Sequence, residues 1–215
     1  MGHKFRKIWD EDAGAIGIGA MIVFIAMILV AGIAASVLIQ TAGNLQIQAM
    51  VTGQQTEAEV ATGLAVTDIE GHVSSNLVDY MTITVKPRAG SKNIDLDEAV
   101  MEISDSSKKV VLTYAGSSKY ATSASTSGVF STSEVFNITA SQFGIIELED
   151  ADGSSSASTP VINHGDAVML TVNCTAAFSG LSPRDNIWGQ IIPEEGAPAV
   201  FAFRVPASLT DTVYD

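Results

Sequence analysis

Between Asp12 and Glu57 the sequence contains no ionisable residue. Positive charge is scarce in the rest of the chain: 11 Lys and Arg stand against 24 Asp and Glu, a net charge of −13. Lys4, Arg6 and Lys7 cancel Asp10, Glu11 and Asp12 within residues 1–14, so the whole excess lies beyond them. A surface of that sign repels nucleic acid and anionic lipid, which excludes a nucleic-acid-binding role. The single cysteine, Cys174, rules out an intramolecular disulfide. Its place in AVMLTVNC marks it as a small buried strand residue. His3, His72 and His164 show no H-x-x-H or H-E-x-x-H spacing. There is no G-x-S-x-G, no phosphate loop, and no G-x-G-x-x-G following a strand. The serines and threonines have no base partner by spacing. No enzymatic activity, cofactor or resident metal is expected.

The run from Ala13 to Ile39 has Ser36 as its one strongly polar residue. As a helix it is ~40 Å long at ~1.5 Å per residue, against a bilayer core of ~30 Å. The charge-free stretch continues to Thr56 without the charged or aromatic residues that usually close a membrane anchor. Leu38, Ala42, Leu45 and Ala49 continue an apolar stripe at helical spacing. Ala31 with Ala35, and Gly32 with Ser36, fit small-xxx-small contact faces. Two readings stay open on this evidence. One is a membrane anchor with a polar stalk; the other is a helix enclosed by like helices, where an unpaired charge costs several kcal/mol. The basic HKFRKIW before the run resembles a signal n-region, yet no Ala-x-Ala follows, and the run exceeds a typical h-region. The segment is therefore either an uncleaved anchor or is cut ahead of the run.

After Gly71 the texture changes to short β-branched and aromatic segments: NLVDYMTITV, SKKVVLTYAG, SEVFNITA, DAVMLTV and PAVFAFRVP. Clusters of Gly, Ser, Asn and Pro separate them, as in an all-β sandwich. Gly116–Ser133 and GSSSAST at 153–159 read as exposed loops. The fold class expected is α+β: a long hydrophobic N-terminal α-helix followed by an all-β, immunoglobulin-like β-sandwich head. Asn137 and Asn173 begin N-x-T sequons and are candidate glycosylation sites. ELEDADG at 147–153 and IDLDE at 94–98 read as solvated acidic loops, with a divalent-ion site as the alternative.

The N-terminal segment resembles that of archaellins, the archaeal flagellins. The resemblance is carried by Gly17-Ile18-Gly19, Ile22-Val23-Phe24-Ile25-Ala26-Met27, Leu29-Val30-Ala31, Ile33-Ala34-Ala35, Val37-Leu38-Ile39 and Thr41-Ala42-Gly43. It continues through GHVSSNLVDYMTITVKPRAGSKNIDLDEAVMEIS. It returns near the end at Leu181-Ser182-Pro183-Arg184, Gly196-Ala197-Pro198 and Pro206-Ala207-Ser208-Leu209. Residues of about 116–160 fall outside it. Gly19 stands where bacterial-type pilins carry Glu, and Asp12-Ala13 stand where family members often carry Lys or Arg.

The resemblance implies a class III, prepilin-like signal over 1–14 cut between Gly14 and Ala15. It also implies a polymerisation helix over 15–70 and an outer domain over 71–215. Ile22, Phe24, Ile25, Leu29, Ile33 and Leu38 would pack in the interior of a homopolymeric helical filament, the archaeal flagellum, which serves swimming motility. Implied partners are a prepilin-peptidase-like membrane protease and the assembly machinery's membrane platform and ATPase. The precursor would sit in the cell membrane, the mature subunit in an extracellular filament, and the family is commonly N-glycosylated. The alternatives are an adhesion-type archaeal pilin or a monomeric membrane-anchored extracellular β-domain.

Overall fold

The structure is a computed structural model describing residues 3–210 and 212–214; for residues 3–13, Ala15 and Tyr214 only the backbone is described. The chain divides into two compact units, 1–54 and 55–215. Helix α1, His3–Ala61, occupies the first unit from residue 3 and opens the second. No proline interrupts the sequence before Pro87. Gly17, Gly19, Gly32, Gly43 and Gly53 lie within α1, each costing ~1 kcal/mol relative to Ala in an isolated helix.

The helix stops earlier than the expected residue 70. Thr62 N–H donates to Ala58 O at 2.8 Å, the last helical bond, and β1 (Leu64–Ser74) begins two residues on. The cause is tertiary. Ser91 Oγ and Gly63 exchange hydrogen bonds, and Thr62 O accepts from Ala197 N–H at 2.8 Å. Gly196 makes this clamp possible: its φ of +105° suits glycine, and a Cβ there would strike the Thr62 backbone. Leu64, Val66 and Ile69 then pair with β2 (Leu77–Pro87) instead of continuing the helix. The β1–β2 turn places Ser75 and Asn76 at φ of 53° and 63°, the left-handed pair a two-residue hairpin needs.

The head continues with β3 (Ile94–Asp95), β4 (Val100–Ser104), β5 (Lys109–Tyr114), β6 (Tyr120–Ala121), the short helix α2 (Ser133–Phe136) and β7 (Gln142–Glu149). There follow β8 (Val161–Ile162), β9 (Ala167–Asn173), α3 (Cys174–Phe178), β10 (Asn186–Ile192), β11 (Ala199–Arg204) and β12 (Val213–Tyr214). The strands follow the order β11-β10-β4-β5-β7-β9-β2-β1-β12, with β6 on β7, and β3 and β8 pair separately. All pairs are antiparallel except β5–β7 and β6–β7. Strand β7 belongs to both halves: Gln142 and Phe143 pair with β5, and Gly144 to Glu149 pair with β9. One core is shared by the two halves, with Ile83, Met101, Leu112, Phe143, Leu170 and Ile191 at most 1% exposed. This is the expected apolar helix followed by a β-rich domain, its sheet curled into a sandwich that is nearly a barrel.

Two segments differ from their sequence reading. SEVFNITA contains α2 in place of a strand. Ser133 O accepts from Asn137 N–H at 3.2 Å, and Val135 and Phe136 turn inward onto Ile146 and Met169. The stretch 116–133 is also not simply an exposed loop. Ala121, Ala124, Val129 and Phe130 pack against that second cluster, so β9 is covered on both faces. That is why DAVMLTV is apolar without alternation. Buried Thr171 ties the cover down, its Oγ1 accepting from Gly144 N–H and donating to Val135 O.

Candidate assembly surface

In a single copy, every described residue from Ile16 to Glu57 is exposed except Gly43, which is half-buried. The side chains are apolar on all sides of the helix rather than along one stripe, so no face is suited to water. Ile22, Phe24, Ile25, Leu29, Ile33 and Leu38 are each between 53% and 68% exposed. Burial of one such side chain is worth about 1–2 kcal/mol, because part of each is already covered by its own helix. The polar residues of the stretch disturb it little: Thr41 Oγ1 folds back to donate to Leu38 O at 3.0 Å. By length and composition, the helix from Ile16 onward can also cross a membrane.

Gly14 is exposed on the helix, with nothing within 4 Å of where a Cβ would stand. The Ala15 side chain and those of residues 1–13, where a signal is expected, lie outside the described residues.

The two sequons occupy different environments. Asn137 and Thr139 are exposed just after α2, and Thr139 Oγ1 donates to Gln142 Oε1 at 2.9 Å. Asn173 is occupied at both ends of its amide. Its Oδ1 caps α3 by accepting from Ala176 N–H at 2.9 Å, and its Nδ2 donates to Phe136 O at 3.2 Å. Cys174 is fully buried as the first residue of α3, one residue past the strand on which it was expected. Burial, with the Asp79 carboxylate adding to it, pushes its thiol up to about 12.

The acidic loop after β7 is more organised than its sequence indicates. Asp150 and Asp152 converge with buried Asp166, their ligand atoms lying within 4.8 Å of one another. All three carboxylates already accept hydrogen bonds. Asp166 takes Ala151 and Asn163 N–H, and Asp150 takes Gly153, Ser154 and Ser155 N–H. Bonds from Ser154 and then Asn163 hold the Asp152 carboxyl below its ordinary value. Asp166 was not singled out in the sequence, because it arrives from the β8–β9 turn. Glu147 stands apart, accepting from Tyr120 O–H at 2.6 Å. The other acidic loop, at 94–98, is held by an Asp97 N–H bond to Asp95 Oδ1.

The model of the archaeal-type flagellin family matches residues 14–203, from Gly14 within α1 almost to the end of β11. The chain belongs to the archaeal-type flagellin family. Flagellins are structural filament subunits, and the family is not known to be enzymatic. Among relatives, Flagellin B2 of Methanocaldococcus jannaschii is 46% identical over 210 residues, covering 97% of this chain and 96% of its own. Flagellin B1 of the same organism is 40% identical over 224 residues, covering 99% of each. The crystal structure of archaeal flagellin FlaB1 from M. jannaschii matches with a TM-score of 0.64 and 34% identity, over 71% of this chain and 95% of that one. The archaeal flagellum of Methanospirillum hungatei strain JF1 gives a TM-score of 0.63 over 92% of this chain and 98% of its own; at 14% identity this is a likeness of fold. This flagellin-family chain thus has the family's two parts, a helix apolar all round and a β-rich domain.

Proposed function

We propose that this chain polymerises through α1 into the filament of an archaeal flagellum. The observation that carries the reading is a helix with apolar side chains exposed on every side and no charge from Ala13 to Thr56. Such a rod is stable in lipid or among copies of itself, whereas in water its exposed surface costs ~25 cal/mol per Å². Assembly therefore exchanges lipid neighbours for like helices, and the acidic β-domains form the outer coat. Contacts that repeat head to tail without closing give an open helical fibre.

In this scheme the precursor spans the membrane with its basic end inside, and a prepilin-peptidase-like protease cuts between Gly14 and Ala15. A membrane platform and ATPase then drive the helix from bilayer to filament. Asn137 is exposed, and among the described residues its side chain holds no hydrogen bond, which supports it as the glycan acceptor. Asn173 is the weaker acceptor, because its amide nitrogen already holds Phe136 O.

The test is microscopy of the extracellular fraction together with intact mass of its protein. The expected result is filaments built of chains that begin at Ala15. A single, uncut molecule retained in the cell envelope would refute the proposal.

A further inference from the structure

The outer face of β5–β4–β10–β11 carries an apolar patch that the core does not use. Strand register sets Trp188 beside Ala202 on one side and Ser104 on the other, with Lys109 next in the same row. The adjacent row runs Val200, Gln190, Glu102, Val111. The alternate residues Ile187, Phe201, Met101 and Leu112 point into the core, so these rows face outward. Among the described residues of 55–215, the exposed large hydrophobics are Val60, Val111, Leu148, Trp188, Val200 and Val213. Three of the six share this one face, with Trp188 49% and Val200 72% exposed. Scattered exposed apolar residues need no explanation, whereas half of the head's exposed large hydrophobics on one sheet face, with Trp188 and Val200 as diagonal cross-strand neighbours, is the composition of a contact surface.

The charge around the patch indicates what covers it. Copies of a chain with net charge −13 repel one another, so a contact between heads needs the scarce cations at its seam. Two of them border the patch. Lys109 is held at 2.8 Å by Glu102, which also accepts from Gln190 at 2.8 Å, and Arg204 is exposed at the end of β11. The complementary feature lies at the end of β7. A register shift between Glu147 and Glu149 leaves Leu148 as the extra residue of a bulge, turned outward and 44% exposed. Next to it in the chain Glu149 and Asp152 are exposed, an acidic collar to the apolar tip. Strands β5 and β4 separate β7 from β10, so tip and patch are different parts of the surface.

We propose that the Leu148 tip of one copy seats on the Trp188 patch of the next, its acidic collar meeting Lys109 and Arg204. This rests on the polymerisation reading above and specifies which head surfaces meet. The contact is heterologous, so each head offers one tip and one patch, and in an open filament the contact repeats from head to head.

Cysteine cross-linking tests it, since the native Cys174 is buried. Filaments of a chain carrying both Leu148→Cys and Val200→Cys, mildly oxidised, are expected to give a ladder of dimers, trimers and longer oligomers. Each single variant is expected to stay monomeric. Monomers alone from cross-link-competent filaments of the double variant would overturn the contact and leave polymerisation intact. Dimers from either single variant would overturn it in favour of a like-to-like contact. If the double variant does not assemble, co-expression of the two single variants must yield cross-linked dimers, and their absence overturns the proposal. In parallel, Trp188→Glu is expected to cut the pelletable filament mass at least tenfold with the thermal unfolding of the head unchanged; undiminished filaments would overturn it. Absence of filaments from the unaltered chain would instead refute polymerisation itself.

Discussion

Replacing Ile25 with aspartate places one carboxylate in the middle of every apolar helix. Ile25 is 53% exposed in the single copy, so enclosure by neighbours removes about half a side chain from water, ~1 kcal/mol, which the variant forfeits. The carboxylate costs more. No lysine or arginine lies between Lys7 and Lys86, so identical helices packed on one another offer it no side-chain cation in this stretch. An enclosed, unpartnered carboxyl has its pKa raised by ~3–5 units, to about 7 or above, so at pH 7 it is forced toward its protonated form at ~1.4 kcal/mol for each of the ~3 units between its free value and pH 7. The sum at pH 7 is ~5 kcal/mol per copy, which raises the subunit concentration needed to sustain polymer by about 10³–10⁴-fold. Because the carboxyl titrates higher in the polymer than in the free chain, the cost grows as pH rises above the free value of ~3.9, levels off above the raised value, and disappears when pH falls below ~4. The assay is pelleting and negative-stain microscopy of the extracellular fraction at neutral pH. Ile25→Val is the matched control; it costs ~0.5–1.5 kcal/mol and should still assemble. Filaments of Ile25→Asp at neutral pH, as long and as abundant as the unaltered ones, would refute a dry core of like helices.

Other consequences are as direct. Gly14→Val should block maturation and leave full-length precursor in membranes, which intact mass detects; normally cut filaments would contradict cleavage at this bond. Asn137→Gln should remove a glycan's mass from the head. Asn173→Gln should leave that mass and lower head stability by ~1 kcal/mol through loss of the α3 cap, read by thermal melting. Cys174 should resist alkylation in the folded head and react on denaturation. Its thiol is raised from 9.0 to about 12, so its contribution to stability is complete below pH 9 and is lost as pH rises toward 12. A head whose alkaline unfolding is unchanged by Cys174→Ala would contradict this.

The helix was legible because a charge-free run of this length has few alternative meanings, and the many residues it shares with archaellins fixed the family. Its end was not legible. QTEAEVATG suits a helix, and the strand that starts at Leu64 is imposed by Ser91, Ala197 and β2, all remote in sequence. The same remoteness hid Asp166 from the acidic loop and hid the packing role of Val129 and Phe130 in a segment rich in serine and threonine. Alternation in NIWGQII and AVFAFR marks Trp188 and Val200 as outward-facing. Only strand order reveals that Val111, from a distant hairpin, shares their face.

A propeller shaft loads its outer casing in shear, and β7 determines how such a casing yields. Because that strand is stitched first to β5 and then to β9, the two leaves of the head are joined by covalent backbone, like a book along its spine. Torque applied to one leaf reaches the other through peptide bonds, so the leaves cannot slide past each other while the binding holds.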